Sequence, residues 1–248
     1  MNRRLSFVFA APLALTLASC GSNAEEADAT ALEGEAVADI AAPEGQSWLE
    51  TASETEEGGF VIGNPEAPLK LVEYASHTCG ACAYFAESGA EPLKEDYVQS
   101  GVVSFEIRPL LRDPLDVTIS TLARCGSPAG FHALADQAWA ALPEFSNNLQ
   151  SNGAAYEAAM SAPPEQRFVQ LAQAAGLIDF FAARGISADQ ARTCLSDGDA
   201  INAMAEKSSE VAAANNVTGT PTFFLNGQRL DVNQWQALEP ILQRAGAR

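Results

Sequence analysis

Cys79-Gly80-Ala81-Cys82 is the set of residues in this chain whose types and spacing are best suited to chemistry. Two thiols three positions apart, where a strand-forming run gives way to a helical one, lie one turn apart on the same helix face. The first then stands at the helix N-terminus, where unpaired N–H groups and the helix dipole favour a thiolate over a free thiol of pKa ~8.5. The second lies deeper and keeps its proton. That division makes Cys79 the nucleophile and Cys82 the resolving thiol, with a mixed disulfide through Cys79 between attack and release. Other uses of this spacing fit less well. Haem attachment needs His directly after the second cysteine, where this chain has Ala83, and zinc needs a fourth ligand beyond His77, Cys79 and Cys82 that no second CxxC or His pair supplies. A purely structural disulfide across so short a loop would restrict the unfolded chain little. The reading is redox chemistry carried by cysteine alone, with no metal and no cofactor.

Composition narrows the surroundings of that pair. In 248 residues there are only two histidines, His77 and His132, so multi-histidine metal centres are excluded. A formal charge of −18 argues against nucleic acid as a partner, since affinity for phosphate backbones rests on Lys and Arg. The hydrophobic share of 47% is that of a folded chain, and no tract of 18 or more apolar residues makes an ordinary transmembrane helix.

The N-terminus reads as an address. Arg3 and Arg4 precede an apolar stretch from Leu5 to Ala18, right for a signal core and short for a membrane span. It ends Leu17-Ala18-Ser19-Cys20-Gly21, which resembles the bacterial lipoprotein cleavage box, in which the cysteine is lipidated and becomes the mature N-terminus. An ordinary secretory signal, or a twin-arginine route through Arg3-Arg4, is the alternative. Residues 20–57 then hold eleven acidic residues and no Lys or Arg, and read as an acidic disordered tether rather than a docking segment. A flexible coil of this length averages roughly 35 Å end to end. The folded domain is expected over residues 58–248.

Its elements follow from local pattern. Gly59 to Gly63 reads as a short strand, Asn64-Pro65-Glu66-Ala67-Pro68 as a turn and Leu69 to Tyr74 as a strand. A helix from Cys79 to about Lys94 and a strand over Val102–Arg108 complete a strand-helix-strand unit, which is expected to be parallel. From about 113 to 215 the chain is Ala- and Gln-rich, punctuated by Gly and Pro, and reads as several short helices. Thr222 to Leu225, Asn226-Gly227 and Gln228 to Leu230 form a hairpin, and Trp235 to Leu242 an amphipathic helix.

Gly63-Asn64-Pro65 with Pro68, the strand Leu69 to Tyr74, Cys79-Gly80-Ala81-Cys82 and Val217-Thr218-Gly219-Thr220-Pro221-Thr222-Phe223-Phe224 together resemble the DsbA-like thiol:disulfide oxidoreductases of the thioredoxin superfamily. The resemblance covers nearly all of residues 59–248 and implies an α/β, thioredoxin-like fold with an inserted all-helical domain. It also implies a cis Thr220–Pro221 bond facing the cysteines, with Gly219, Thr220 and Pro221 offering backbone to an extended peptide. Glu73, six residues before Cys79, matches the family's partly buried acid, whose role would be to accept the Cys82 proton; the alternative is a surface strand residue. His77 would stabilise the Cys79 thiolate if charged, or else sit exposed in a turn. Gly80-Ala81 departs from the Pro-His of strongly oxidising members, and Thr220 resembles the isomerase branch, so a milder oxidant, an isomerase or a reductase is open. The remaining Cys125 and Cys194 are expected to pair in an exported protein, closing a loop of about 70 residues, in preference to two free buried thiols.

The expected protein is thus an extracytoplasmic, monomeric oxidoreductase, lipid-anchored through Cys20. It would act on exported cysteine-containing proteins and be recycled by a membrane redox partner. A non-catalytic peptide-binding lipoprotein on the same fold is the competing reading.

Overall fold

The computed structural model describes residues 32–247. The signal segment, Cys20 and the start of the tether lie outside the described residues. Within them the chain builds one six-stranded mixed sheet. Its centre is the parallel pair β3 (Leu69–Ala75) and β4 (Val103–Pro109), in register from Leu69 opposite Val103 to Ala75 opposite Pro109. Parallel neighbours need a crossover. Here it is α1 (Gly80–Pro92), whose last turns widen into a π-helical segment, Leu93–Val98. Outside β4 lie β2 (Phe60–Gly63) and β1 (Ala52–Glu54), both antiparallel; outside β3 lie β5 (Thr222–Leu225) and β6 (Gln228–Arg229). Asn226 and Gly227, with φ of 50° and 81°, make the two-residue hairpin turn. Asn226 also fastens that hairpin to the start of β3: its Oδ1 accepts from the Lys70 N–H at 2.8 Å and its Nδ2 donates to the Pro68 carbonyl at 3.1 Å.

Strand alternation divides the sheet into two faces. Leu71, Glu73, Phe105, Ile107, Phe223 and Leu225 share one face, by register. Tyr74 and Phe224 share the other, packed with Ala212 of α9 (Gly198–Ala214) and Val217. The first face carries the main core. Phe85 of α1 meets Phe223 at 4.7 Å between ring centroids, and Gly89 lets α1 approach α10 (Trp235–Arg244) so closely that a methyl there would lie 2.7 Å from Trp235 Cβ.

Between β4 and β5 come the helices α2 (Pro114–Ala123), α3 (Pro128–Ala140), α4 (Leu142–Ser151), α5 (Gly153–Ser161), α6 (Pro164–Ala175), α7 (Leu177–Ala182), α8 (Ala188–Ser196) and α9. Proline in the first turn starts α2, α3 and α6, where the missing N–H costs nothing. This insertion shares its core with the sheet, since Phe131 of α3 stacks on Phe60 of β2 at 4.1 Å. A disulfide joins Cys125, just after α2, to Cys194 of α8, with 6.1 Å between Cα atoms.

The tether requires correction over its described part. Residues from 34 onward are packed against the domain: Val37 bridges to Ala247, the Ile40 N–H donates to the Ser100 carbonyl at 2.8 Å, and Trp48 is buried with its indole N–H on the Ile40 carbonyl. Gly101, at φ 75°, makes room for this; a Cβ there would lie 2.3 Å from the Ile40 oxygen. β1 then extends the sheet. Backbone pairing of this kind leaves no hydrophobic period in the sequence, which is why an acidic stretch of low periodicity reads as coil.

Candidate active site

Cys79 is the N-cap of α1 and Cys82 lies one turn inside, fully buried. Both are free thiols, and Cys79 Sγ lies 3.3 Å from the carbonyl oxygen of Thr220. The Thr220–Pro221 bond is cis, and the Thr222 hydroxyl donates to the Gly219 carbonyl at 2.7 Å, so this loop is folded onto the face of the cysteine pair. The Cys79 thiol is lowered to about 5: the Cys82 thiol donates to its sulfur, and the Thr220 side chain and the backbone N–H groups of Cys82 and Ala81 add to that, against the opposing effect of burial. Thr220 Oγ1 is otherwise buried without a partner, a donor available to a thiolate. Cys82 is pushed strongly upward by its bond to Cys79, by burial and by Glu73. These surroundings favour a thiolate at Cys79 and a retained proton at Cys82.

Glu73 is buried in the centre of β3, and its Oε1 has no hydrogen-bond partner. Burial first, then the negative charges of Asp136 and Cys79, hold its carboxyl well above the ordinary carboxylate range, while Lys94 pulls it down. It is not a surface strand residue.

His77 is placed differently from expectation. It is neither exposed nor among the groups that favour the Cys79 thiolate. Its backbone N–H donates to Asp116 Oδ1 at 2.8 Å, its Nδ1 lies 2.9 Å from Ser120 Oγ, and its ring stacks on Trp139 at 5.0 Å. The physical reason is the insertion. Asp116 of α2, fully buried, also accepts from Ser76 Oγ at 2.6 Å and from the Arg112 N–H at 3.0 Å. Asp113, the N-cap of α2, accepts from Thr78 Oγ1 at 2.6 Å, and the Trp139 indole donates to the Ser76 carbonyl at 2.9 Å. Residues 76–78, the approach to Cys79, are therefore held by α2 and α3. Sequence reasoning missed Asp113, Asp116, Ser120 and Trp139. The readable signal was Asp113-Pro114 as a helix start; its partner, some 35 positions earlier, leaves no local trace.

Among the described residues no group of three His, Cys, Asp or Glu side chains could hold a metal, and no helix is long and apolar enough to cross a membrane.

A strand-helix-strand centre with a CxxC at the helix start and a cis-proline loop against it defines the thioredoxin class of fold. The family model described as thioredoxin matches residues 55–244, and the chain belongs to that family. Among solved structures, it is similar to a protein-disulfide isomerase from Novosphingobium aromaticivorans, 31% identical with a TM-score of 0.70 over 76% of this chain and 97% of that one. It shares its fold with alpha-DsbA1 of Wolbachia pipientis, 18% identical, TM-score 0.60, over 75% and 90% of the two chains. Among curated proteins, a Rickettsia bellii protein named as a protein-disulfide oxidoreductase is 24% identical over 191 residues, 77% of this chain and 65% of its own. A Rickettsia typhi protein of the same description is 27% identical over 172 residues, 68% of this chain and 54% of its own. The chain thus spans between about half and two thirds of the length of these curated relatives.

Proposed function

We propose that this chain is a thiol:disulfide oxidoreductase that exchanges disulfides with cysteine-containing proteins through Cys79 and Cys82. The observation that carries this reading is the geometry of the pair: Cys79 is the N-cap of α1 with its Sγ 3.3 Å from the Thr220 carbonyl of the cis-proline loop, and Cys82 lies fully buried one turn inside. In the reducing direction the Cys79 thiolate attacks one sulfur of a client disulfide, forming a Cys79–client bond and releasing the other client sulfur as a thiolate. Cys82 then gives its proton to Glu73 and attacks Cys79 Sγ, forming the Cys79–Cys82 disulfide, breaking the Cys79–client bond and releasing the second client sulfur as a thiolate. In the oxidising direction a client thiolate attacks Cys79 Sγ of the disulfide, Cys82 leaves and takes its proton from Glu73, and a second client thiolate displaces Cys79. Two electrons pass from client to enzyme. The Gly219–Pro221 loop supplies main-chain groups to an extended client segment, which suits many client sequences.

Within that chemistry a mild oxidant is favoured, because Gly80-Ala81 places no imidazole beside Cys79. Isomerase activity is the second reading, favoured by the 31% identity to a protein-disulfide isomerase. We place the enzyme outside the cytoplasm, exported by residues 1–19 and lipid-anchored at Cys20, on the strength of Leu17-Ala18-Ser19-Cys20 alone. Trapping tests the mechanism: Cys82→Ser accumulates client mixed disulfides on non-reducing gels, and Cys79→Ser accumulates almost none. Equal trapping by both variants overturns the assignment of roles.

A further inference from the structure

The order of the sheet places two different flanks beside the reactive sulfur. β3 leads into Cys79, with β4 on one side of it and β5 on the other. Pro109, the last residue of β4, is opposite Ala75, and Thr222, the first of β5, is opposite Tyr74. The segment that leaves β4 for α2 and the Gly219–Pro221 segment that enters β5 therefore lie at the same end of the sheet, with the approach to Cys79 between them. On the β5 side the Thr220 carbonyl lies 3.3 Å from Cys79 Sγ; on the β4 side Asp113 accepts from Thr78, the residue before Cys79. The first flank is main chain and serves any client sequence. The second leads to side chains.

Asp113 lines a cleft of about 380 Å³ in the insertion, together with Pro114 and Leu115 of α2, Leu149 of α4 and Tyr156 of α5. Leu115 and Leu149 pack on the core yet are only half-buried, so each keeps apolar surface on the cleft side. Tyr156 is 37% exposed, one of two large apolar side chains so placed among the described residues, and the other, Tyr84 of α1, does not line the cleft. A surface tyrosine offers a broad ring at low entropic cost. Thr78 and Cys79 are neighbours and Thr78 is hydrogen-bonded to Asp113, so the cleft begins roughly 10 Å from the reactive sulfur. An extended client advances about 3.3 Å per residue and turns alternate side chains to the same side. The client side chains that share the direction of its cysteine and reach this distance are those two or four positions away.

We propose that this cleft is a client-binding site: it takes an apolar side chain two or four positions from the client cysteine, on the side away from the Gly219–Pro221 loop. This rests on the reading of Cys79 as the residue that bonds to clients. The occupant is a client segment because the cleft is continuous, through Asp113 and Thr78, with the sulfur to which that segment is joined. Exchange is then a property of the sheet and α1, and selectivity a property of the insertion.

The test uses the oxidised full chain and nine-residue peptide thiols built of Gly and Ser around a central cysteine. One pair carries Leu or Ala at the second and fourth positions after the cysteine, and another pair carries them before it. In the parent, the Leu peptide of one pair reacts about tenfold faster than its Ala twin, the discrimination expected of an apolar pocket, and the difference lies in KM. Leu at the first and third positions brings less than threefold. Tyr156→Ala combined with Leu149→Ala lowers the tenfold ratio below threefold, whereas Tyr156→Phe and Tyr84→Ala keep it. A merely structural role for these residues slows all peptides alike and leaves the ratio unchanged. A ratio below threefold for both pairs in the parent, or one that survives the double variant, overturns the proposal. A dimer that Tyr156→Ala dissociates, seen by sedimentation, assigns the cleft to a second copy and overturns it as well. The reading of Cys79 fails separately, if acid-quenched peptide adducts are found on Cys82 while the preference for Leu persists.

Discussion

At the residue scale the chemistry is concentrated in the sulfur of Cys79. With its folded value lowered to about 5, this thiol is ionised at neutral pH, where a free cysteine of pKa ~8.5 is almost wholly protonated. Alkylation of the reduced protein by iodoacetamide should therefore rise through a midpoint near pH 5, followed as the modified Cys79 peptide; a midpoint near 8.5 contradicts the geometry. The linkage has a definite sign. An acid whose pKa is depressed by folding stabilises the reduced form fully above its unfolded value, and that contribution is lost as pH falls through the folded value. The reduced protein should accordingly gain stability relative to Cys79→Ala between about pH 5 and pH 9. Thr220→Val keeps side-chain shape and deletes the hydroxyl that favours the thiolate, so the same alkylation midpoint should move upward without unfolding. These residues were legible in the sequence to different degrees. Cys79 and Cys82 announce themselves by spacing, and Glu73 by its offset from them within a resembling family. His77 misled because a histidine two residues from a reactive thiol invites a role that Asp116, Ser120 and Trp139 had already claimed. Lys94 and Asp136 left no trace, being 42 positions apart with meaning only as a pair.

At the element scale β2, β3, β4, α1, the hairpin and α10 could be read because each carries its own period or turn chemistry. The docking of α2 could not, since it depends on one buried carboxylate meeting donors from a distant loop. Asp116 accepts from Ser76 Oγ, the His77 N–H and the Arg112 N–H, and has no exposed surface to share with water. Truncation strands those donors. Asp116→Ala should cost about 3 kcal/mol in urea unfolding, the sum expected when several buried donors lose their acceptor. It should also lower Cys79 reactivity toward a peptide disulfide, because residues 76–78 lead directly into the N-cap of α1. A stability loss under about 1 kcal/mol would mean that water replaces the carboxylate and that α2 does not hold the loop. The strand β1 was illegible for a related reason. Its three residues are exposed or half-buried, and its place in the sheet is set by antiparallel pairing with β2, which no sequence period announces.

At the scale of the whole molecule, the insertion is fastened to the loop before α1 at the N-terminal end of α2 and cross-linked to itself just past the other. The N-terminal end carries Asp113 and Asp116 against residues 76–78; just past the C-terminal end, Cys125 is bonded to Cys194. Pairing of these two cysteines followed in the sequence from the expectation of export, whereas their place beside α2 and α8 could come only from packing. The two attachments should fail independently. Cross-linking residues 69 apart removes loop-closure freedom from the unfolded chain, about 4 kcal/mol in the chain-entropy model, so the double variant Cys125→Ser/Cys194→Ser should lose roughly that much stability to urea. The pH midpoint for Cys79 alkylation should stay within about 0.3 units of the parent's, a difference of about 0.4 kcal/mol, since the hydrogen bonds of Asp113 and Asp116 to the loop remain. If the midpoint rises together with the loss of stability, α2 transmits strain along its length and the disulfide belongs to the active site. If stability is unchanged, the unfolded chain is already as restricted without the bond, and the insertion is held by its shared core with the sheet.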